Sequence, residues 1–284
     1  MAIGGCASNV AVDLARLGRK VAVVGCIGPD ASGRFVRETF EEARVDCGQL
    51  RVAHGWQTSA TLVVNVKGED RRFIHATAAN GAFRGDQVTA ELIASTTILY
   101  VGGFLMVPGL RGDAVGNWFR MAREAGVRTV LDVVISDPRD GWNELQKVLP
   151  WTDVFLPNND EARLLTDLDD PCRQAEWFAQ AGAKTVVVTC GSRGAVLLEK
   201  DRRLRSGTFP VDFVDGTGSG DAFAAGVIDG LLQNATSDRC LEIGSALGAS
   251  CVRQPGATTG VFDREELNAF LASHRLAIEP WHDA

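Results

Sequence analysis

No stretch of this chain reaches the ~20 consecutive apolar residues of a membrane-spanning helix, and its opening residues lack the build of a secretory leader. Basic residues are in deficit. The 29 Lys and Arg against 36 Asp and Glu leave a net charge of −7, which argues against nucleic acid or an anionic membrane as partner. Arg202, Arg203 and Arg205, beside Asp201, read as a solvated hairpin tip. The seven cysteines contain no Cys-x-x-Cys pair, and most sit in apolar runs. That usage points to reduced thiols in a cytoplasmic protein rather than to disulfides or a zinc motif. The four histidines include no His-x-x-x-His pair and none beside a Ser or Cys motif, which disfavours a hydrolytic triad or a zinc enzyme. His75 reads as structural. Repeats and low-complexity segments are absent.

What is there is a chain of 284 residues, 45% hydrophobic, enough for one sizeable α/β core with a small sheet appended. From residue 96 onward, short apolar runs alternate with helical patterns. Residues 97–101, 129–134, 154–156 and 185–189 read as buried strands; 112–125, 143–149, 160–166 and 172–181 read as helices. Such alternation predicts a mostly parallel, doubly wound sheet with helices on both faces. Further helices are expected over 219–232, 238–252 and 263–273, the last opened by Asp263 and Glu266 at capping-box spacing. Before residue 96 the pattern differs. Residues 59–66 and 71–75 flank Lys67, Gly68, Glu69 and Asp70 and predict an antiparallel hairpin.

The most specific stretch reads D-G-T-G-S-G-D-A-F-A-A-G, from Asp215 to Gly226. A β-type run over 211–214 leads into Asp215, then a turn holding Gly216, Gly218 and Gly220, then Asp221 and a helix-forming run. Glycines permit positive φ, so the amides of such a turn can converge at a helix N-terminus, where unpaired donors and partial positive charge bind phosphate. A carboxylate at the mouth of that site suits a base that takes a proton from an attacking hydroxyl. The plainer reading makes Asp221 a partner of the helix dipole. No Lys follows Gly220, which excludes a Walker A loop, and Asp221 stands where a dinucleotide fingerprint needs its last Gly.

Three other stretches carry weaker signals. Gly4 and Gly5 precede a helix in which Asn9, one turn in, can donate to and accept from sugar hydroxyls, or simply serve as a helix-start residue. Asn158 and Glu161 follow a strand end, where α/β folds place ligand groups; a carboxylate there can hold Mg²⁺, or the pair can merely cap a helix. Thr189-Cys190-Gly191-Ser192-Arg193-Gly194 also follows a strand and by itself is an ordinary turn.

Residues 215–226 resemble the C-terminal signature of the PfkB/ribokinase family of carbohydrate and nucleoside kinases, with Gly216 in place of the usual Thr or Ser. Residues 4–11 resemble its N-terminal signature, 158–161 its Asn-x-x-Glu motif, 189–194 its Thr-x-Gly-x-x-Gly nucleotide loop, and 78–82 the stretch that closes a lid over the sugar. The resemblance runs from residue 3 to about 273. It implies a ribokinase-like three-layer α/β/α fold: one kinase domain over 1–273 with a small β lid around 54–82, and a tail over 274–284. It also implies ATP-dependent phosphorylation of a hydroxyl on a small sugar or sugar acid. Asp221 would be the general base, the amides of Gly218, Ser219 and Gly220 the anion hole, and Gly5, Asn9 and Phe104 acceptor contacts. ATP would meet Asn158, Thr189, Gly191, Ser192, Gly194, Gly218 and Gly248. Mg²⁺ would sit at Glu161, and K⁺ at Asp215, Thr217, Gln254 and Gly256. A homodimer through the lid is implied as well.

Cys6 stands where ribokinase itself often has Lys, a departure that bears on ribose specificity. A nucleoside kinase on the same scaffold is an alternative, with Phe104 and Trp56 as candidate platforms for a base. A non-catalytic sugar- or nucleotide-binding relative is another. In this family a first, central strand ending in an acceptor-gripping Asp precedes the Gly-Gly motif, and here that strand is expected to be missing. The intact Asp221 speaks for catalysis.

Overall fold

The computed structural model describes residues 1–64, 72–135 and 138–281. The expected hairpin turn at Lys67, Gly68, Glu69 and Asp70 lies outside these residues, as do residues 65, 66 and 71 of its flanking runs. Helix α1 (Cys6–Arg16) opens the chain. Strand β1 (Ala22–Ile27), helix α2 (Ala31–Glu42) and strand β2 (Asp46–Val52) follow as a parallel β-α-β unit not anticipated from the sequence. Strands β3 (Ala60–Val64) and β4 (Arg72–Ala76) then pair antiparallel, as the alternating pattern predicts. Asp30 ties this hairpin to α2: its carboxylate accepts from Gly33 N in the helix and from both Thr58 N and Thr58 Oγ1.

The main sheet begins with β5 (Ile98–Phe104), β6 (Arg128–Val133), β7 (Val154–Phe155) and β8 (Thr185–Thr189), all parallel to one another. It continues antiparallel through β9 (Ala195–Glu199), β10 (Arg202–Ser206) and β11 (Ile278–Pro280). The period-2 alternation of strand side chains divides its two faces. Val130, Val154, Val187 and Leu197 pack with α1, α8 (Ser219–Leu232), α9 (Ser237–Cys251) and α10 (Arg264–Ser273). Leu131, Phe155, Val186 and Val196 pack on the opposite face with α4 (Gly112–Glu124) and α7 (Pro171–Gln180), preceded along the chain by α3 (Ala90–Ala94), α5 (Pro138–Leu145) and α6 (Asn159–Thr166). This is the three-layer α/β/α arrangement. Helix α8 is apolar on nearly every side because it is sandwiched, and it meets α9 so closely that a Cβ on Gly226 would sit 2.7 Å from Gly244 Cα. Among the described residues no helix is long and apolar enough to cross a membrane.

Helix α1 packs on both β1 and β5, yet those two strands do not pair with each other. Among the described residues β1 pairs only with β2, and β5 only with β6. Both strands line one cleft.

Three expectations need correcting. Residues 211–214 form no strand; Phe213 is 73% exposed, and the amides of Val214 and Asp215 both donate to Val252 O. Their β propensity finds no neighbouring strand edge, and propensity without a partner does not make a sheet. The segment expected as a tail supplies β11, and Trp281 is buried with its indole N–H donating to Leu197 O. A short strand beside an exposed edge satisfies backbone groups that would otherwise be bare. The basic cluster is not a hairpin tip but β10 itself, with Arg203 bonded to Glu176 and Arg202 to Asp238.

Candidate active site

Helices α1 and α8 begin side by side at the cleft floor. Each has a glycine N-cap and no capping side chain: Gly5 (φ 95°) for α1 and Gly218 (φ 80°) for α8. A Cβ on Gly218 would lie 2.4 Å from Ala257 O, so both the left-handed backbone and the contact with the next loop require glycine. A Cβ on Gly220 would meet nothing within 4 Å, since that residue faces open space. Helix starts without a capping side chain leave amide donors for an anion; Ser219 N donates to Gly216 O at 3.2 Å, and Gly218, Ser219, Gly220 and Gly248 line the cleft.

Asp221 sits in the first turn of α8. Asn9 Nδ2 donates to its Oδ2 at 2.6 Å, and the Cys6 thiol lies within 4.8 Å. Burial pushes the Asp221 carboxyl up despite the lowering effect of Asn9 and Cys6. Two groups that sequence reasoning missed stand beside it. Asp132 on β6 alternates with Leu131 and so shares Val130's face, the one covered by α1 and α8. Tyr100 on β5 donates its hydroxyl to Asp132 Oδ2 at 3.2 Å. Burial, then Glu161 and Asp221, raise the Asp132 carboxyl well above the carboxylate range, and burial followed by Asp132 does the same for the Tyr100 hydroxyl. The available signal was a carboxylate ending an apolar parallel strand, where α/β folds place ligand groups.

Asn158 and Glu161 form a reciprocal capping box on α6: Asn158 Oδ1 accepts from Glu161 N at 2.8 Å, and Glu161 Oε2 accepts from Asn158 N at 3.0 Å. The plain reading of this motif therefore holds locally. Even so, the Glu161 carboxyl is pushed up to about 7, first by burial, with Asn158's amide opposing and Asp221 and Asp160 adding. Asp132, Glu161 and Asp221 thus repel one another across the floor, a crowding that a hard cation on Glu161 would relieve. Oxygen donors of this kind fit Mg²⁺.

An isolated parallel bridge joins Asn158 to Thr189, and Thr189 N donates to Pro157 O at 3.0 Å. The 189–194 loop then lines the same cleft, with Thr189, Gly191, Ser192 and Gly194 all on its wall. Gly194 (φ 87°) lies so near Ser206 O that a Cβ would stand 1.9 Å away. On the far side Asp215 ties two loops together, accepting from Thr217 N at 3.0 Å, Thr217 Oγ1 at 2.8 Å and Gly256 N at 3.2 Å. Gln254 is exposed in the adjoining turn and packs toward Gly260 instead.

Phe104 is not at the site. It is wholly buried in the core on the opposite face of the sheet. The β5–β6 register shifts between Val101 and Phe104, where Gly103 takes φ 67°, and that irregularity turns the ring away from the cleft. Trp56 is 48% exposed and packs against Gly81 outside the cleft lining. The cleft has a volume of about 2600 Å³, part of which is the gap between β1 and β5.

The pfkB family carbohydrate kinase model matches residues 1–264 of this chain. The chain is 28% identical over 279 residues to the ribokinase of Haemophilus influenzae, covering 95% of this chain and 88% of that protein. It is 29% identical over 288 residues to the aminoimidazole riboside kinase of Salmonella typhimurium, covering 96% of this chain and 89% of that protein. Among solved structures, a protein described as Ribokinase II from E. coli, in complex with ATP and Mg²⁺, superposes with a TM-score of 0.84 at 25% identity, covering 96% of this chain and 90% of that one. Match length, fold and site agree: the chain belongs to the pfkB family of carbohydrate kinases.

Proposed function

We propose that this protein transfers the γ-phosphoryl group of ATP to a hydroxyl of a small sugar or sugar acid. The observation that carries the reading is Asp221, held by Asn9 between two uncapped helix starts that face one cleft. Asp221 takes the proton of the attacking hydroxyl. Its raised proton affinity makes it a stronger base than an exposed carboxylate, and Asn9 fixes the orientation in which it acts. The amides of Gly218, Ser219 and Gly220 stabilise charge developing on the phosphoryl oxygens. Gly5 opens α1 toward the acceptor. When bound, ATP with Mg²⁺ supplies the phosphoryl group and screens its charge. Glu161 would hold the metal, and Asn158, Thr189, Gly191, Ser192, Gly194 and Gly248 would line the nucleotide. The three ties that Asp215 makes to Thr217 and Gly256 support a K⁺ site in these loops, to which Gln254 would have to turn inward.

A nucleoside acceptor is a second reading, favoured by the likeness to aminoimidazole riboside kinase. Neither of its two aromatic platforms lines the cleft: Phe104 is in the core, and Trp56 packs outside the lining. Exposed Leu62 and Ile74 on the hairpin support a homodimer through the lid. The thiols of Cys6, Cys26, Cys47, Cys172, Cys190 and Cys240 support a cytoplasmic setting. An ATP-consumption screen of sugars and nucleosides tests the reading. Asp221→Asn should lower kcat by ~10²–10⁴ and leave ATP affinity within a few-fold, since the anion site is backbone. A variant retaining more than about a tenth of kcat removes Asp221 from the role of base.

A further inference from the structure

Cys6 at the start of α1, Asp132 on β6 and Asp221 in the first turn of α8 bring a thiol and two carboxylates together. One ligand atom from each lies within 4.8 Å of the others. Ligands of a tetrahedral Zn²⁺, at ~2.0–2.3 Å from the ion, stand ~3.3–3.8 Å apart, so shifts of about an ångström would close the set. A fourth donor stands beside this set. Asn9 is buried, its amide nitrogen is bonded to Asp221, and its Oδ1 has no hydrogen-bond partner.

We propose that Cys6, Asp132 and Asp221, with Asn9 Oδ1 completing the set, bind a thiophilic divalent cation of the Zn²⁺ class, and that its binding blocks the kinase. Selectivity follows from ligand type. A thiolate with two carboxylates suits Zn²⁺ or Cd²⁺, whereas Mg²⁺ prefers an all-oxygen octahedron and keeps its waters. Burial raises all three proton affinities, and repulsion from neighbouring carboxylates adds to it at Cys6 and Asp132, a situation that a dication reverses. Binding forms metal–sulfur and metal–oxygen bonds and releases to solvent the Cys6 thiol proton and any proton held by the two carboxyls, so affinity increases with pH. The ligand set does not include Glu161. Its inhibitory consequence, though not the binding itself, rests on the role proposed for Asp221.

The test uses the full chain with CdCl₂ or ZnCl₂ alone. Cd²⁺ should give a thiolate charge-transfer band in the ultraviolet with one equivalent bound. Cys6→Ser should abolish the band, Asp132→Asn should weaken binding ~10–100-fold, and Cys26→Ser should leave it intact. A band that survives Cys6→Ser, or is lost equally in Cys26→Ser, overturns the proposal. Should the Cys6 variant not fold, the unmodified chain decides: Zn²⁺ must protect Cys6 from alkylation by iodoacetamide, mapped by mass spectrometry, and equal alkylation with and without Zn²⁺ overturns it. In the kinase assay Zn²⁺ should inhibit competitively with the acceptor at saturating Mg-ATP, with relief by chelator. Binding without inhibition supports the site and counts against Asp221 as base.

Discussion

Asp13 lies in the middle of α1, wholly buried, and neither carboxylate oxygen has a hydrogen-bond partner. Burial pushes its carboxyl up to about 8; Arg16 pulls it down and Asp221 pushes it further up. In the unfolded chain the same group titrates near ~3.9. As pH rises, the unfolded chain therefore ionises first and the fold must keep Asp13 protonated. Stability from this group is full below pH ~4 and is lost as pH rises toward ~8, where the folded carboxyl at last ionises. At ~1.36 kcal/mol per pH unit, about three units separate pH 7 from the unfolded value, a loss of ~4 kcal/mol. Asp13→Asn keeps the shape and cannot ionise. The variant should gain stability over the parent at pH 8, by roughly 2–4 kcal/mol once local relaxation is allowed for, and lose that advantage near pH 4. In a chain of this size each kcal/mol moves Tm by ~2–4 °C, so the gain is several degrees. Thermal melts of both proteins from pH 4 to pH 8.5, with urea titrations at the two ends, measure it. An Asn variant that is less stable at every pH, or whose advantage does not change with pH, refutes the reasoning.

Glu161→Gln should raise the Mg²⁺ concentration needed for half-maximal rate by more than it raises the acceptor KM; a Mg²⁺ titration that does not shift removes the metal from this residue. Asp229→Ala strips the buried carboxylate that accepts from Arg19 and Arg264 and joins α8 to the chain following α1 and to α10. Allowing for the partial exposure of both arginines, denaturant unfolding should show a loss of ~2–4 kcal/mol, and a loss below about 1 kcal/mol would mean the bridge is screened. Because, among the described residues, β1 and β5 offer unpaired edges to one cleft, a strand placed between them should stabilise the fold and its acceptor site. A chain extended upstream by a strand-forming segment should melt higher and turn over faster than the 284-residue chain, and equal melting and equal rates would refute this.

Local pattern alone located most of the parallel core. Helix α8 begins at Ser219 and ends at Leu232, as its sequence predicts, because a glycine turn before it and a mainly apolar run within it leave few other places for the boundaries. The Asp263–Glu266 capping box is equally local and forms as expected. Asp221, Asn9, Asn158 and the 189–194 loop were legible for a related reason: each sits at an element terminus, where chain direction and unpaired backbone groups dictate what the residue can do. Contacts between distant segments were not legible. The register shift that buries Phe104, the partner edge that residues 211–214 lack and the strand edge that recruits residues 278–280 all depend on neighbours remote in sequence. The same limit hid the acidic floor. Cys6, Asp132 and Asp221 have no motif spacing, since they come from a helix start, a strand and a second helix start. Sequence periodicity determines which way a side chain faces along its own element. Only the packing of α1 and α8 onto one face of the sheet decides that three such side chains meet, and burial there sets their protonation.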